Sequence, residues 1–118
     1  MIRFDEIREI YLVKGTTGLR KGIDGYAALI SSELQRNPTD HSLYIFCNRD
    51  HDKLKCLYYD GTGFWLLYKR MNKGCHFKWV RSDTTGALQI THQQLSWLLE
   101  GLKIDQKYAF KNVEKPYI

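Results

Sequence analysis

Two apolar, aromatic-rich segments on either side of a polar turn predict two β-strands joined by a tight turn between Lys53 and Arg70. The turn is Asp60-Gly61-Thr62-Gly63, because Asp-Gly is a strong hairpin signal and glycine accepts the positive φ that such turns demand. Pairing Tyr59 with Phe64 sets the register and sorts the side chains between two faces. One face is a candidate core layer: Leu54, Cys56, Tyr58, Trp65 and Leu67. The other face mixes cations with apolar and aromatic side chains: Lys53, Lys55, Leu57, Tyr59, Phe64, Leu66, Tyr68 and Arg70.

The rest of the chain supplies helices and further strands around this hairpin. Apolar residues at helical spacing predict a helix from about Ile23 to Gln35, and Pro38 prevents any continuation. Thr91 and Gln94 fit a capping box, so a second helix is predicted over about residues 92–100. Shorter strands are predicted at about residues 10–13, 42–47, 75–80 and 87–90.

This order of elements predicts the fold class α+β, with an antiparallel β-meander sheet, one helix in the N-terminal half (about 23–35) and one C-terminal helix (about 92–100). A chain of 118 residues is expected to form a single domain, residues 1–118, with a core that needs no disulfides. Residues 103–118 show no clear period and are a candidate extended tail.

Apolar patterning and cysteine content both bear on where the protein works. The longest apolar run, Phe64 to Tyr68, is too short to span a bilayer, and the N-terminus lacks the apolar segment of a signal peptide. We therefore expect a cytoplasmic protein with no membrane partner. Cys47, Cys56 and Cys75 fit that location, because their number is odd and no CxxC occurs. Reduced, half-buried thiols are the simplest interpretation.

The net charge of +5 is concentrated in the middle of the chain. Between Arg49 and Arg81 there are eight basic and three acidic residues, so this β-rich segment accounts for the whole excess. A focused positive excess favours contact with a polyanion.

Motifs for nucleotide hydrolysis, metal binding and catalysis are weak. The segment from Gly15 to Gly22 lacks P-loop spacing, although Arg20 and Lys21 lie beside a helix N-terminus, where backbone N–H groups favour an anion. The candidate zinc ligands have no finger or ribbon spacing: Cys47, His51, Cys56, Cys75 and His76. Asp50 and Asp52 share a loop, but Asp60 lies at the opposite end of the hairpin. We expect no catalytic residues, no metal and no cofactor.

The basic and aromatic residues remain as candidates for binding nucleic acid. Cations near phosphates give salt-dependent affinity, and exposed rings stack on bases for ~1–3 kcal/mol each. The cations are Lys53, Lys55, Lys69, Arg70, Lys73, Lys78 and Arg81, and the candidate rings are Tyr59, Phe64, Tyr68 and Trp79. Each ring taken singly is also explained by burial in the core.

Four segments in order carry a family resemblance: LRKGIDGYAALI, LYIFCNRDHDKLKCLYYDGTGFWLLYKRM, FKW and LSWLLEGL. Over about Val13 to Leu102 the chain resembles the TnpB accessory protein of the sixty-six family of insertion sequences, which is unrelated to the RNA-guided nucleases of the same name. The resemblance implies a small protein encoded beside a separate, larger DDE-type transposase and needed for efficient transposition. It transfers no catalytic residues. The chain departs from many relatives at Val80, where a proline usually follows the FKW element.

Taken together, the sequence predicts a non-catalytic accessory factor for transposition of an insertion sequence. Its expected partners are DNA, at element ends or bound to transposase, and the DDE-type transposase itself. The predicted nucleic-acid-binding residues are Arg20, Lys21, Arg49, Lys53, Lys55, Tyr59, Tyr68, Lys69, Arg70 and Lys73. One alternative is a module that docks the transposase through Leu57, Phe64 and Leu66, or through the tail after Leu102. A third hypothesis is a metal-dependent nuclease that uses Asp50 or Asp52.

Overall fold

The structure, a computed structural model, describes residues 3–80 and 86–105. After a single 3-10 turn, five strands and two helices follow in the order βαββββα. Their bounds are β1 (Ile10–Val13), α1 (Ile23–Ser32), β2 (Leu43–Cys47), β3 (Lys53–Tyr59), β4 (Phe64–Arg70), β5 (Ala87–Ile90) and α2 (His92–Leu99). No helix within the described ranges is long and apolar enough to cross a membrane.

The five strands form one mixed sheet in the order β4-β3-β2-β1-β5. The α+β class is confirmed, but the prediction of a purely antiparallel meander is wrong, because β1 and β2 pair in parallel. Helix α1 connects these two strands, and parallel neighbours require such a crossover. The β2-β3 and β3-β4 pairs are antiparallel, as expected, and β5 pairs antiparallel with β1.

Each face of the sheet is covered, so the molecule has a core on both sides. On one face of the sheet, helix α1 packs against the strands, and we call this cluster the α1 core. Its buried members are Tyr11, Val13, Tyr26, Ile30, Tyr44, Phe46 and Leu57. On the other face, residues of α2 pack against the strands, and we call this cluster the α2 core. Its buried members include Ile10, Leu12, Leu43, Ile45, Leu54, Tyr58, Leu95 and Leu98. Strand β2 is buried at every position because its alternating side chains enter both cores.

Helix α1 begins at Ile23 and ends at Ser32, three residues before the predicted end. Gln35 adopts a positive φ of 52°, and the Arg36 N–H donates to the Ile30 carbonyl at 3.1 Å. A left-handed residue followed by such a backward hydrogen bond ends a helix without a proline. Pro38 therefore lies beyond the end of the helix rather than causing it.

Helix α2 confirms the predicted capping box. The Thr91 hydroxyl accepts from the Gln94 N–H at 3.1 Å, and the Gln94 side chain accepts from the Thr91 N–H at 2.9 Å. The helix ends at Leu99, and Gly101 takes a φ of 86° just beyond it. Residues 106–118 of the predicted tail lie outside the described residues.

The strand predicted at about residues 75–80 is wrong. This segment pairs with no strand among the described residues, although its side chains alternate between exposed and buried from His76 to Trp79. Phe77 and Trp79 point into the α2 core, and the Phe77 N–H donates to the His51 carbonyl at 2.7 Å. Burial on one side produced a strand-like pattern without a strand.

Candidate nucleic-acid interface

The turn of the β3-β4 hairpin is held by the carboxylate of Asp60. One oxygen accepts from the N–H groups of Thr62 at 2.9 Å and Gly63 at 3.0 Å, and from the Thr62 hydroxyl at 3.0 Å. The other accepts from the indole N–H of Trp65 at 2.8 Å. These hydrogen bonds, those to Thr62 and the indole first, lower the pKa of Asp60. Gly61 has a φ of 103°, as the turn chemistry predicted.

The hairpin has the predicted register, so its side chains are divided between the two faces as the sequence predicts. Tyr59 lies opposite Phe64, Lys55 opposite Tyr68 and Lys53 opposite Arg70. Two lysines, one arginine and one tyrosine therefore share the α1 face of the sheet at the end of the hairpin away from the turn.

A groove of about 750 Å³ opens where this end of the hairpin meets the loop that precedes α1. We call it the basic groove, and its lining is Leu19, Arg20, Asn48, Lys53, Lys55, Leu66 and Tyr68. The structure thus brings together four predicted binding residues, Arg20, Lys53, Lys55 and Tyr68, from three separate segments of the chain.

The loop that forms the second wall of the basic groove is anchored to the sheet. The Thr17 N–H donates to the Cys47 carbonyl at 2.8 Å, and the buried Tyr26 hydroxyl donates to the Gly18 carbonyl at 3.0 Å. Arg20 lies two residues after Gly18 and is exposed. Its position beside the hairpin is therefore set by β2 and α1.

Asn48 organises the loop between β2 and β3 at the floor of the groove. Its side-chain oxygen accepts from the N–H groups of Asp52 at 3.1 Å and Lys53 at 3.0 Å, while its NH₂ donates to the Asp52 carboxylate at 2.6 Å. Lys53 Nζ lies 3.3 Å from the same carboxylate. The hydrogen bond from Asn48, and then the contacts with Lys53, lower the pKa of Asp52. Part of the Lys53 charge is therefore already compensated.

The other predicted cations are uncompensated. Seven predicted cations form no ion pair with any residue in the ranges 3–80 and 86–105. They are Arg20, Lys21, Arg49, Lys55, Lys69, Arg70 and Lys73. Lys55 Nζ lies 6.0 Å from the centroid of the Tyr26 ring, an attractive position for a cation at the groove wall. Arg36, by contrast, bonds Tyr44 and Asp40 at the far end of α1 and is not available.

Not every predicted cation faces the basic groove. Lys69 alternates to the opposite face, where it lies across from Leu54. Arg70 and Lys73 line a neighbouring depression of about 390 Å³ with Asp52, Met71 and Asn72. Lys21 is exposed at the start of α1 and Arg49 is exposed in the loop after β2. Arg81 lies outside the described residues.

Of the predicted rings, Tyr68 alone lines the basic groove, and it is 55% exposed. Tyr59 lies at the turn end, half-buried against His41 and Phe64. Trp79 is buried, and its indole N–H donates to the Gly15 carbonyl at 2.6 Å. Trp79 is therefore excluded as a stacking ring.

Two assignments of apolar side chains are wrong. Trp65, expected in the core, is 38% exposed because it lies on the outermost strand, whereas Tyr58 is in the core as expected. Leu57, expected to contribute to the docking surface of the alternative function, is fully buried, whereas Phe64 and Leu66 are half-buried and Leu66 lines the basic groove.

Carboxylates, thiols and imidazoles were the candidate ligands for a metal ion. In the part of the chain that is described, no three His, Cys, Asp or Glu side chains converge in a group that could hold a metal ion. Cys47, Cys56 and Cys75 are free thiols. Burial raises the pKa of the Cys47 thiol to about 12, which makes it unreactive at neutral pH.

The fold and the groove define a small α+β protein with uncompensated cations gathered at one end of its sheet. The chain belongs to the IS66 Orf2-like family: the family described as IS66 Orf2 like protein matches residues 8–109. This confirms the resemblance drawn from the sequence and makes the chain an accessory protein associated with an insertion sequence.

Two curated relatives come from Sinorhizobium fredii, and both are described as uncharacterized. The protein y4hO is 34% identical over 93 residues, which cover 79% of this chain and 79% of that protein. The protein y4jC is 32% identical over 83 residues, covering 70% of this chain and 69% of the relative. No solved structure gives a significant match.

Proposed function

We propose that this protein is a non-catalytic accessory factor of transposition that holds DNA in the basic groove, mainly through phosphates. The observation that carries the proposal is the convergence of Arg20, Lys53 and Lys55 with the exposed ring of Tyr68 on one groove. These residues come from the loop before α1 and from both strands of the hairpin. Phosphate contacts of this kind give affinity without sequence preference.

The shape and exposure of the groove support a backbone-tracking mode. Arg70 and Lys73 continue the positive charge into the neighbouring depression. Arg49 lies on the loop between β2 and β3. Tyr68 can stack on a base of a single strand or a frayed end, as rings beside cationic grooves do. The DDE-type transposase of the same element is the second partner we expect, and cytoplasmic location stays part of the proposal.

The test is a comparison of two charge-reversal variants in a DNA-binding titration. The groove variant carries Arg20→Glu and Lys55→Glu. The control carries Arg8→Glu and Lys78→Glu, which changes the net charge equally at two exposed positions outside the groove, since Lys78 lines a separate depression with His76 and Trp79. At low salt we expect the groove variant to bind duplex and single-stranded DNA about tenfold or more weakly, because each lost phosphate contact is replaced by repulsion. Equal losses in both variants would reject the groove as the binding site.

A further inference from the structure

The outer edge of β4 is a long strand edge without a partner among the described residues. Strand β4 has seven residues and ends the sheet, whereas β5 at the other edge has four. Two hydrogen bonds fix the pattern of its ladder: the Asp60 N–H donates to the Gly63 carbonyl at 3.0 Å, and the Met71 N–H donates to the Asp52 carbonyl at 2.8 Å. Because bonded and non-bonded pairs alternate, Trp65, Leu67 and Lys69 bond to β3. The outward N–H and C=O groups therefore belong to Phe64, Leu66, Tyr68 and Arg70.

The side chains of this edge are unusually apolar for a strand that faces solvent. Trp65 and Tyr68 are two of the three large hydrophobic side chains exposed in the described ranges, at 38% and 55%. Edge strands are normally kept short, charged or covered, because open backbone groups recruit another strand. Here the cations Lys69 and Arg70 are confined to one end.

We propose that two copies of the protein pair through β4, antiparallel, with Leu67 on the two-fold axis. Full overlap of a seven-residue strand with its own copy places Leu67 opposite Leu67 of the second copy. The register then aligns outward-bonding residues with each other, Leu66 with Tyr68 and Phe64 with Arg70. Four such pairs exchange about eight backbone hydrogen bonds, two for each pair.

The side-chain pairs across this seam are complementary, which is why we assign it to a second copy rather than to another protein. Lys69 faces the exposed ring of Trp65, and Arg70 faces Phe64, so each cation meets an aromatic ring. Parallel pairing would instead place like charges side by side. Leu67, beside Leu54, Leu95 and Leu99 in an apolar depression of about 180 Å³, meets its own copy on the axis.

Pairing in this way would join two five-stranded sheets into one and leave the α1 faces on the same side. The two basic grooves would then flank the axis and face one ligand together. This consequence rests on the proposed function, whereas the pairing itself does not involve DNA.

The test is site-specific disulfide formation together with the mass in solution, both without DNA. In a Cys56→Ala, Cys75→Ser background, which removes the thiol across β3 from position 67 and the exposed thiol, Leu67→Cys should form a disulfide dimer under mild oxidation. The Cα atoms of a non-bonded pair lie about 4.5 Å apart, within disulfide range. Lys69→Cys alone should not form a disulfide dimer, since its two copies would be separated by roughly 14 Å along the strands. A mixture of the Trp65→Cys and Lys69→Cys proteins should form the mixed dimer, which tests the register even if Leu67→Cys folds poorly.

Sedimentation of the unmodified chain should show a reversible dimer of the 13.9 kDa protomer. Tyr68→Pro should shift it to monomer, because proline removes an outward N–H without breaking the ladder to β3. Tyr68→Thr keeps that N–H and should remain dimeric. A monomer at every accessible concentration, or a dimer that survives Tyr68→Pro and forms no disulfide through Leu67→Cys or the mixed pair, overturns the proposal. An unmodified protein that dimerises but binds no DNA would instead overturn the proposed function alone.

Discussion

Asp60 is the residue whose side chain does most to define the hairpin that borders the groove. Its carboxylate accepts hydrogen bonds from two backbone N–H groups, a hydroxyl and an indole, all within five residues in sequence. Charged acceptors make stronger hydrogen bonds than neutral ones, so the folded state favours the ionised form.

We expect the stability of the hairpin to depend on the ionisation of Asp60. Because its pKa is lowered on folding, its contribution is complete above the ordinary Asp value of 3.8 and is lost as pH falls through the lower folded value. Asp60→Asn keeps the shape but not the charge, and its NH₂ cannot accept from the Trp65 indole. Urea unfolding should therefore show the variant less stable at pH 7, with a difference that shrinks as the pH is lowered below about 4. A difference that is constant with pH would contradict this assignment.

Trp65 and Trp79 show how far the environment of a residue can be predicted from its neighbours in sequence. Asp60 and Trp65 are five residues apart, and their contact could be anticipated from the turn. The Trp79 indole donates to the Gly15 carbonyl, 64 positions away. Nothing in the local pattern distinguishes a buried Trp79 from an exposed one, because the partner is brought there by the tertiary fold. The sequence therefore placed Trp65 inside wrongly and left Trp79 open between a stacking ring and a core residue.

At the scale of elements, local sequence signals predicted the hairpin and the helix cap correctly, whereas they did not predict which distant strands pair. The β3-β4 register and the start of α2 follow from chemistry within a few residues, at Asp60-Gly61 and at Thr91 with Gln94. The parallel contact of β1 with β2 depends on how the chain returns across the sheet after α1. The order strand, helix, strand was itself a signal for that crossover, since parallel neighbours need a long connection.

The capping box makes the stability of α2 testable. Thr91→Ala removes the acceptor for the Gln94 N–H, and we expect the free energy of unfolding to fall by about 1 kcal/mol. Gln93→Ala, at an exposed position of the same turn, should change it by less than about 0.5 kcal/mol. Urea denaturation monitored by tryptophan fluorescence measures both. Equal effects would mean that the cap contributes nothing beyond helix propensity.

At the scale of the whole molecule, the concentration of positive charge in the middle of the chain was visible in the sequence, but the groove was not. Lys53, Lys55 and Tyr68 were expected to share a face, and they do. The second wall, with Leu19 and Arg20, is added by the crossover connection into α1, whose path over the hairpin no local pattern encodes. Leu57 is buried in the α1 core, so one of the three apolar residues of the alternative docking surface is not available.

The salt dependence of DNA binding provides a measure of how many groove cations contact phosphates. Each phosphate contact contributes about 0.9 to the slope of log K against log salt concentration for duplex DNA. Replacing Arg20 and Lys55 by glutamine removes two cations without adding repulsion, so we expect the slope to decrease in magnitude by about 2, and equally for unrelated DNA sequences. Arg8→Gln with Lys78→Gln should leave the slope unchanged, although the net charge falls by the same amount. A groove variant whose slope equals that of the unmodified protein would show that Arg20 and Lys55 do not touch phosphate, even if its affinity were lower.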